Sequence, residues 1–495
     1  MQVLREYAAK MYIDSVYHDK GIRSMSANQG THVAEGSQLT PLCEIRAVSR
    51  PAARQAAAER RHKFAYQFPR DRRQLGGKLS VAENARRLLR FFYFERRLAQ
   101  ALGAWTLAVP EFEVKLEMGR HLFYHADAAR SLRERLHEQE KTLKQIDEYR
   151  DAEIDGFIDE MLSAGDAPEL LVGVHQVAGA ALAIAYRHHI DDTDPIADAP
   201  SIRTLRRLLL DYEAMLGWAD EATAAYVAGG IDESRLAAWR WHLKKQLTSI
   251  GGVTGTDPRG PAPQPMRSDD RPFERCTRPM RDDRFVTFVN TGDYDVADGE
   301  PRYPTGSYES LRLRFLRTQR DEIDAIEAFG TFLWDIRFRD FQAEYDLARI
   351  TWDEARHTEI GHRALLASGY DPFELPNRLT GSTCRGPMEP AFAMAEINLF
   401  GEVGVLKTIG ELIDVAAERQ DDLLVHVADF IRSDERTHVR KGRHIIRVMS
   451  DLGAQELELR TRELFTECLV SLGVVKLDMD VFTVSREDIE HLVGE

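Results

Sequence analysis

The sequence predicts an all-α protein built from two regions of long helices. Apolar residues recur at intervals of three and four over long segments, and Gly and Pro fall between these segments rather than within them. The chain has 495 residues, of which 43% are hydrophobic and 30% are charged, so it can bury large cores and still carry a charged surface. Two or three domains are expected at this length.

Composition divides the chain into five segments. Residues 1–79 are locally basic and lack a clear periodicity, so we expect a flexible N-terminal arm. Residues 80–248 contain helical segments such as ARRLLRFFYFERRLAQALGAW and predict an N-terminal helical bundle. Residues 249–307 are rich in Gly, Pro and Asp and form either a linker or a lid over a site. Long helices return over residues 308–472, and residues 473–495 are a C-terminal extension.

Charge, hydropathy and cysteine spacing disfavour several classes of partner. The formal net charge of −15 argues against a nucleic-acid-binding surface. The sequence contains no run of about eighteen apolar residues, so a membrane span is not predicted. The four cysteines are far apart and include no CxxC pair, which argues against a zinc ribbon or a dense disulfide framework. We therefore expect a reducing, cytoplasmic setting. A homodimer is compatible with the sequence.

Two helices of the region 308–472 carry the same motif, Asp-Glu-x-x-His-x-x-x-Gly. The motif occurs as DEARHTEIG from Asp353 and as DERTHVRKG from Asp434. Residues three apart lie on one helix face, so the Glu and the His of each copy can bind one metal ion together. Apolar residues beside the motifs favour buried ligands over solvated surface faces. They are Leu347, Ile350, Ile360 and Leu365 in one helix, and Phe430, Ile431, Ile445 and Ile446 in the other.

A dimetal site in a four-helix bundle also needs a carboxylate from each of the two other helices. If the first helical hairpin turns near residues 339–340, Glu327 lies about as far before the turn as Glu354 lies after it. Glu327 is therefore the first candidate, Glu322 is the reserve, and Asp324 is less favoured.

The second helical hairpin offers a similar choice. Its predicted turn at residues 419–421 lies midway between Glu402 and Glu435. Glu402 also shares a helix face with apolar residues, where an unpaired carboxylate would be costly. Glu402 is therefore preferred, and Glu396 is the weaker candidate.

The doubled motif and these spacings resemble those of the ferritin-like di-iron carboxylate proteins. This superfamily includes acyl-carrier-protein desaturases, the small subunit of ribonucleotide reductase, aldehyde-deformylating oxygenases and bacterial multicomponent monooxygenases. The resemblance covers residues 308–472 and implies a ferritin-like four-helix bundle that carries two iron ions, or a manganese/iron pair, and uses O₂ as co-substrate. The catalytic metal ligands that it implies are Glu327, Glu354, His357, Glu402, Glu435 and His438.

The resemblance also implies roles for the aspartates and glycines of the motif. Asp353 and Asp434 would each accept the outer N–H of the opposite histidine. Reductase small subunits carry the radical-bearing Tyr seven residues after the first ligand Glu, where this chain has Gly361 and its mate Gly442. A tyrosyl radical is therefore disfavoured, and the glycines favour close helix packing or space for a substrate.

The N-terminal bundle is a faint echo of the same arrangement. When LEMGRH is aligned with WDEARH by His121 and His357, Met118 falls on Glu354, so the first copy lacks the key carboxylate. We expect a degenerate bundle without a complete metal site. Ordinary core or surface positions are expected for its histidines, which include His121, His125, His175, His188 and His189.

The resemblance to the di-iron carboxylate proteins, together with these patterns, implies a soluble non-haem di-iron oxidase or oxygenase. It would hydroxylate, desaturate, N-oxygenate or halogenate a small organic or carrier-bound substrate, with electrons from an external donor because no flavin or nicotinamide fingerprint is evident. Four aromatic residues either line an apolar pocket or belong to the core: Phe329, Phe332, Trp334 and Phe400. The alternatives are a ferroxidase or peroxide-handling ferritin-like protein, and a metal-free helical scaffold.

Overall fold

The structure is a computed structural model that describes residues 50–64, 73–271, 273–289 and 307–473. Residues 1–72 and 73–495 form two compact units. Within the first unit the described part is the helix α1 (Arg50–Phe64), which lies in the predicted N-terminal arm. The rest of that arm up to residue 72, and the predicted extension after residue 473, lie outside the described residues.

The described part of the second unit begins with a series of helices. They are α2 (Val81–Trp105), α3 (Phe112–His137), α4 (Leu143–Asp147), α5 (Ala152–Leu162), α6 (Ala167–Leu171), the π-helix π1 (Val172–Gly179), α7 (Ala180–Asp192), α8 (Ala199–Ala228), α9 (Glu233–Ser249) and α10 (Arg267–Asp270). Polar side chains cap several of these helices; Ser80, for example, accepts from the amide of Glu83 at the start of α2.

The remaining helices and a short two-stranded sheet complete the unit. They are β1 (Thr287–Phe288), α11 (Tyr308–Arg320), α12 (Ile323–Asp335), α13 (Phe341–Ala367), β2 (Asn377–Arg378), α14 (Thr380–Arg385), α15 (Pro390–Ala395), π2 (Glu396–Glu402), α16 (Val403–Glu418), α17 (Asp422–Met449) and α18 (Ala454–Ser471). β1 pairs with β2 in parallel. The predicted all-α class is confirmed.

One hydrophobic core joins the two helical regions. α2 packs on α3, and α12 and α13 pack against this pair. Glycines permit the close approach, because a β-carbon at Gly103 would lie 2.5 Å from the carbonyl oxygen of Gly330, and one at Gly119 would lie 2.9 Å from the β-carbon of Ala355. The segments predicted as two bundles therefore share their largest core, and a smaller apolar cluster lies among α11, α13, α16 and α17.

The first long helical segment of the region 308–472 is interrupted after Arg320. α11 ends at Arg320, and α12 begins at Ile323. The buried guanidinium of Arg320 donates to Asp321 at 2.6 Å and to the carbonyl oxygen of Pro376 at 2.7 Å, which fixes the chain at the break. Gly361 of α13 packs against the break, where a β-carbon would lie 2.7 Å from the carbonyl carbon of Gln319.

Residues 273–289, part of the predicted linker or lid, are bound to the helices. The amide of Met280 donates to the carbonyl oxygen of Leu107 at 2.8 Å, and Nε of Arg281 donates to the side chain of Asn377 at 2.8 Å. Residues 290–306 lie outside the described part, so closure over the site stays a prediction.

Two further features concern the cysteines and the most apolar helix. Cys384 of α14 and Cys468 of α18 form a disulfide with 5.7 Å between their α-carbons, a pairing that their separation of 84 residues did not reveal. The segment Ala167–Asp192 is apolar enough, by length and composition, to cross a membrane, but 72% of its most apolar window is buried inside the protein. Such burial is typical of a core helix.

Candidate metal centre

Six side chains from four helical segments converge inside the second unit. Five of them are buried, and Glu322 is half-buried. Asp340 caps α13 and Asp421 caps α17, so both motif helices have a defined start. The six side chains are Glu322 before α12, Glu354 and His357 on α13, Glu402 at the end of π2, and Glu435 and His438 on α17.

The six side chains form two halves, each centred on one histidine. In the first half Nδ1 of His357 lies 3.0 Å from Glu322, 3.4 Å from Glu354 and 3.5 Å from Glu435. In the second half Nδ1 of His438 lies 3.2 Å from Glu354, 3.6 Å from Glu435 and 3.8 Å from Glu402. The two halves therefore have matching donor sets, each with one histidine, the same two shared glutamates and one further glutamate.

Glu354 and Glu435 each belong to both halves. Glu354 turns Oε2 towards His357 and Oε1 towards His438, and Glu435 turns Oε1 towards His357 and Oε2 towards His438. Each can therefore bridge two metal ions, with Glu322 and Glu402 as terminal ligands. Four ionised carboxylates carry a charge that two divalent cations would neutralise, and this donor set of oxygen and imidazole nitrogen suits iron or manganese.

Two buried polar atoms at the centre lack hydrogen-bond partners in the part of the protein that the structure describes, as is expected of atoms that bind a metal ion. Among the described residues, Oε1 of Glu402 and Nδ1 of His438 are buried without a hydrogen-bond partner. A buried polar atom without a partner costs about 1–3 kcal/mol, more when it is charged. Both atoms point into the second half of the centre, where a cation would satisfy them.

Burial and mutual repulsion distribute protons unevenly over the metal-free centre. Burial raises the pKa of Glu322 to about 8, and burial together with Glu435 raises the pKa of Glu402 well above its usual range. For Glu354 burial also raises the pKa, but the adjacent His357 and His438 outweigh it and lower the pKa to about 2. Metal binding must therefore displace protons from this site.

Each histidine meets an aspartate of the opposite motif helix through its outer nitrogen. Nε2 of His357 lies 3.3 Å from Asp434, and Nε2 of His438 lies 3.4 Å from Asp353. An aspartate at this position fixes the ring so that Nδ1 faces the ligand set. Burial raises the pKa of Asp353, but hydrogen bonds from His438 and Arg349 outweigh it and hold the pKa well below its usual range.

One arginine connects the two aspartates. The guanidinium of Arg356 donates through Nη1 to Asp353 and through Nη2 to Asp434 at 2.5 Å. Asp353 also accepts a hydrogen bond from Nε of Arg349 at 2.9 Å, whereas within the described part of the chain this second arginine does not contact Asp434. Arg356 was not predicted as a site residue, although its place immediately before His357 in the motif is a signal that the sequence contains.

The structure does not bring Glu327 to the centre, and Glu322 lies there instead. The carboxylate of Glu327 is buried and bound by Lys115, Arg281 and Ser382. Burial raises the pKa of Glu327, but Arg281 and Lys115 outweigh it and lower the pKa. Glu327 therefore joins the segment 273–289 to α3 and α12 and is not available as a ligand.

The position of the turn explains why Glu327 was preferred wrongly. The connection between α12 and α13 spans residues 336–340 and so includes the predicted turn at 339–340, but its centre lies at Phe338, which has a positive φ of 68°. Glu322 lies 16 residues before Phe338 and Glu354 lies 16 residues after it. The break after Arg320 further changes which face of the chain meets α13.

The other carboxylates considered are engaged elsewhere. Glu396 and Asp324 both pair with Arg385, at 2.6 Å and 3.3 Å. Glu402 instead accepts from Asn398 at 2.6 Å, and the same amide donates to the backbone carbonyl of His438 at 3.1 Å. Gly442 makes this possible, because a β-carbon there would overlap the side chain of Asn398.

A cavity of about 200 Å³ reaches the centre from its carboxylate side. All four glutamates of the centre line this cavity, and neither histidine does. The predicted aromatic residues do not line it: Phe329, Phe332 and Trp334 belong to the shared core, and Phe400 lies under Arg462. Phe430, expected in the buried stripe of α17, is 55% exposed.

The N-terminal helices carry a different buried polar cluster. Oε1 of Glu95 accepts from the hydroxyl groups of Tyr186 and Tyr212, and Oε2 lies 2.6 Å from Nδ1 of His125. His121 and His175 lie 2.9 Å apart; His188 is exposed and His189 is buried. Among the described N-terminal residues, no three carboxylate, histidine or cysteine atoms converge as they do in the C-terminal centre.

Comparison with known proteins identifies no relative. No family model, no curated protein and no solved structure matches the chain. The geometry of the centre is therefore the basis on which a function can be proposed.

Proposed function

We propose that the protein is a non-haem di-iron oxidase or oxygenase of the ferritin-like type. The observation that carries the proposal is the doubled ligand set, in which two glutamates face both histidines and two further glutamates each face one. A mononuclear or purely structural site would not need two bridging carboxylates and an adjoining cavity. When bound, a pair of ferrous ions would supply the binding and reduction of O₂.

The surrounding residues support a reaction on an organic molecule. The cavity meets the four glutamates, so a molecule in it would lie beside the metal ligands, with the histidines and their aspartates on the far side. Its walls include Leu311, Phe315 and Ile409, which offer an apolar surface to a molecule on that side. Glu322 is half-buried at the cavity wall and can hold a proton there, since burial raises its pKa to about 8 in the metal-free protein.

Metal loading followed by O₂ exposure tests the proposal. The purified protein is loaded with ferrous iron under argon, freed of excess iron, and mixed with O₂ while O₂ consumption and the optical spectrum are recorded. We expect about two bound irons per chain and rapid O₂ consumption, both lost in Glu354→Ala. Glu359→Gln is the matched control, because Glu359 lies on the same helix but forms a surface ion pair with Arg363.

The same experiment separates the alternatives. A ferroxidase would keep consuming O₂ as ferrous iron is added beyond two equivalents and would accumulate ferric iron. A metal-free scaffold would bind no iron and would be unchanged in stability by Glu354→Ala. Either result would contradict an oxidase or oxygenase with two resident irons.

A further inference from the structure

The cavity beside the centre is a slot between two helices. α11 contributes Leu311, Phe315 and Thr318 to its wall, and these positions lie on one helix face that leads towards Glu322. α16 contributes a second face that leads away from Glu402. Its members are Val405, Thr408, Ile409 and Leu412.

The two lining faces have similar lengths. Eleven residues separate Leu311 from Glu322, and ten separate Glu402 from Leu412. At about 1.5 Å of rise per residue, the face of α16 extends roughly 15 Å from Glu402 to Leu412, and α11 extends roughly 14 Å from Leu311 to its end at Arg320, just before Glu322. An extended alkyl chain of about ten to twelve carbon atoms has that length.

The two directions from the centre differ in chemistry. Towards Leu311 and Leu412 the wall is mostly apolar, with Phe315, Val405 and Ile409 between them, and its polar members there are Arg314, Thr318 and Thr408. Leu311, Ile409 and Leu412 belong to the apolar cluster among α11, α13, α16 and α17, so the far end of the slot lies against packed apolar side chains.

In the other direction the wall is polar, and charged groups in it already have partners of opposite charge or hydrogen-bond partners. Asp324 and Arg385 line it, with Arg378 and Asp321 nearby. Arg385 is bound by Asp324 and by Glu396, and Asp321 is bound by Arg320 and by Asn377. A hydrogen-bonding group without charge can be accommodated here without the cost of breaking a buried ion pair.

We propose that the substrate is an elongated molecule with an unbranched apolar tail of about ten to twelve carbons and an uncharged polar head. The tail occupies the slot between α11 and α16 and ends at Leu311 and Leu412. The head lies beside Asp324 and Arg385, and the carbons next to it lie over Glu322, Glu354, Glu402 and Glu435. This inference rests on the proposed function for the location of the reaction, while the slot itself is a binding site that can be measured directly.

A homologous series of 1-alkanols tests the slot. Primary alcohols of increasing length are titrated, each below its solubility limit, into manganese-loaded protein, and binding is followed by calorimetry. Each methylene that enters the slot should increase affinity about fourfold, because burial of a methylene contributes about 0.8 kcal/mol. The increase should stop at about ten to twelve carbons.

Two substitutions at the far end should move this limit in opposite directions. Leu412→Trp shortens the slot and should lower the limiting chain length by several carbons, whereas Leu412→Ala opens its end and should raise it. Leu459→Trp on α18 is the control, because Leu459 is 57% exposed and does not line the cavity. Circular dichroism and manganese content verify that each variant folds, and either substitution alone is sufficient to test the limit.

The outcomes separate the slot from the proposed function. Affinity that rises with length without a limit, or a limit unchanged in a folded Leu412 variant, would overturn the slot even if the iron-loaded protein consumes O₂. A limit that moves as expected supports the slot, and if no O₂ is consumed, the proposed oxidase function fails while the binding site remains.

Discussion

Replacing Arg356 by Gln should weaken the two halves of the metal centre unequally. Arg356 donates to Asp353 and to Asp434, the two aspartates that face the outer nitrogens of the histidines. Loss of an aspartate behind a ligand histidine typically lowers metal affinity about 10- to 100-fold, so loss of the arginine that holds the aspartate should lower it by up to about tenfold. Asp353 keeps Arg349 at 2.9 Å, so the half around His438 should weaken less than the half around His357.

Stepwise metal titration measures this difference. Cobalt(II) is added to the metal-free protein under argon, and the absorption of each bound ion gives two successive dissociation constants. Arg349→Gln is the matched control, because Arg349 contacts Asp353 alone of the two aspartates, and it should weaken only the half around His438. Equal weakening of both halves in Arg356→Gln, or no weakening, would refute the reasoning, provided that the thermal unfolding temperature shows a folded protein.

Three further predictions concern the ligands, protons and helix packing. Glu322→Gln should remove one of two bound metals, whereas Glu327→Gln should keep both, and metal analysis will check this difference. Glu327→Gln should instead destabilise the protein by about 3 kcal/mol or more, because it leaves buried cations unpaired. Metal affinity should rise as the pH rises through about 8, since Glu322, His357 and His438 must lose protons to bind metal, and calorimetry in two buffers should detect the proton release; affinity independent of pH would contradict this. Gly361→Ala should lower the free energy of unfolding, measured with denaturant, by about 1–3 kcal/mol, because its β-carbon would meet the backbone of α11. Gly217 has open space around it, so Gly217→Ala should raise the free energy of unfolding by up to about 1 kcal/mol. A change of the same sign in both variants would contradict this account of the packing.

Local spacing identified the residues that lie on the two motif helices. Glu354 with His357, and Glu435 with His438, follow from the rise of an α-helix, and the structure brings all four together. Glu402 was also placed from its distance to the turn, and the structure brings it to the same centre despite the π-helix that precedes it.

The remaining parts of the site depend on contacts that no local pattern encodes. The choice between Glu322 and Glu327 depends on the helix break after Arg320 and on the turn around Phe338, each fixed by tertiary contacts. Arg356 acquires its role only because the two motif helices lie side by side. Gly442 is explained by Asn398, a residue 44 positions earlier that no repeat or motif singled out.

The packing of the two helical regions against each other could not be predicted from the sequence either. Periodicity indicates that α2, α3, α12 and α13 each have an apolar face, but not which faces meet. Close approaches at Gly103 and Gly119 join the regions through one core, although composition suggested separate bundles on either side of residues 249–307.

The most direct measurement is the number and coupling of the metal ions in the native chain. Mössbauer spectroscopy and metal analysis of protein loaded with iron and then exposed to O₂ should give two irons per chain as one magnetically coupled pair, lost together in Glu354→Ala. Iron that is absent, or bound as isolated single ions and insensitive to this substitution, would contradict the assignment of Glu322, Glu354, Glu402 and Glu435 with the two histidines as one dimetal centre.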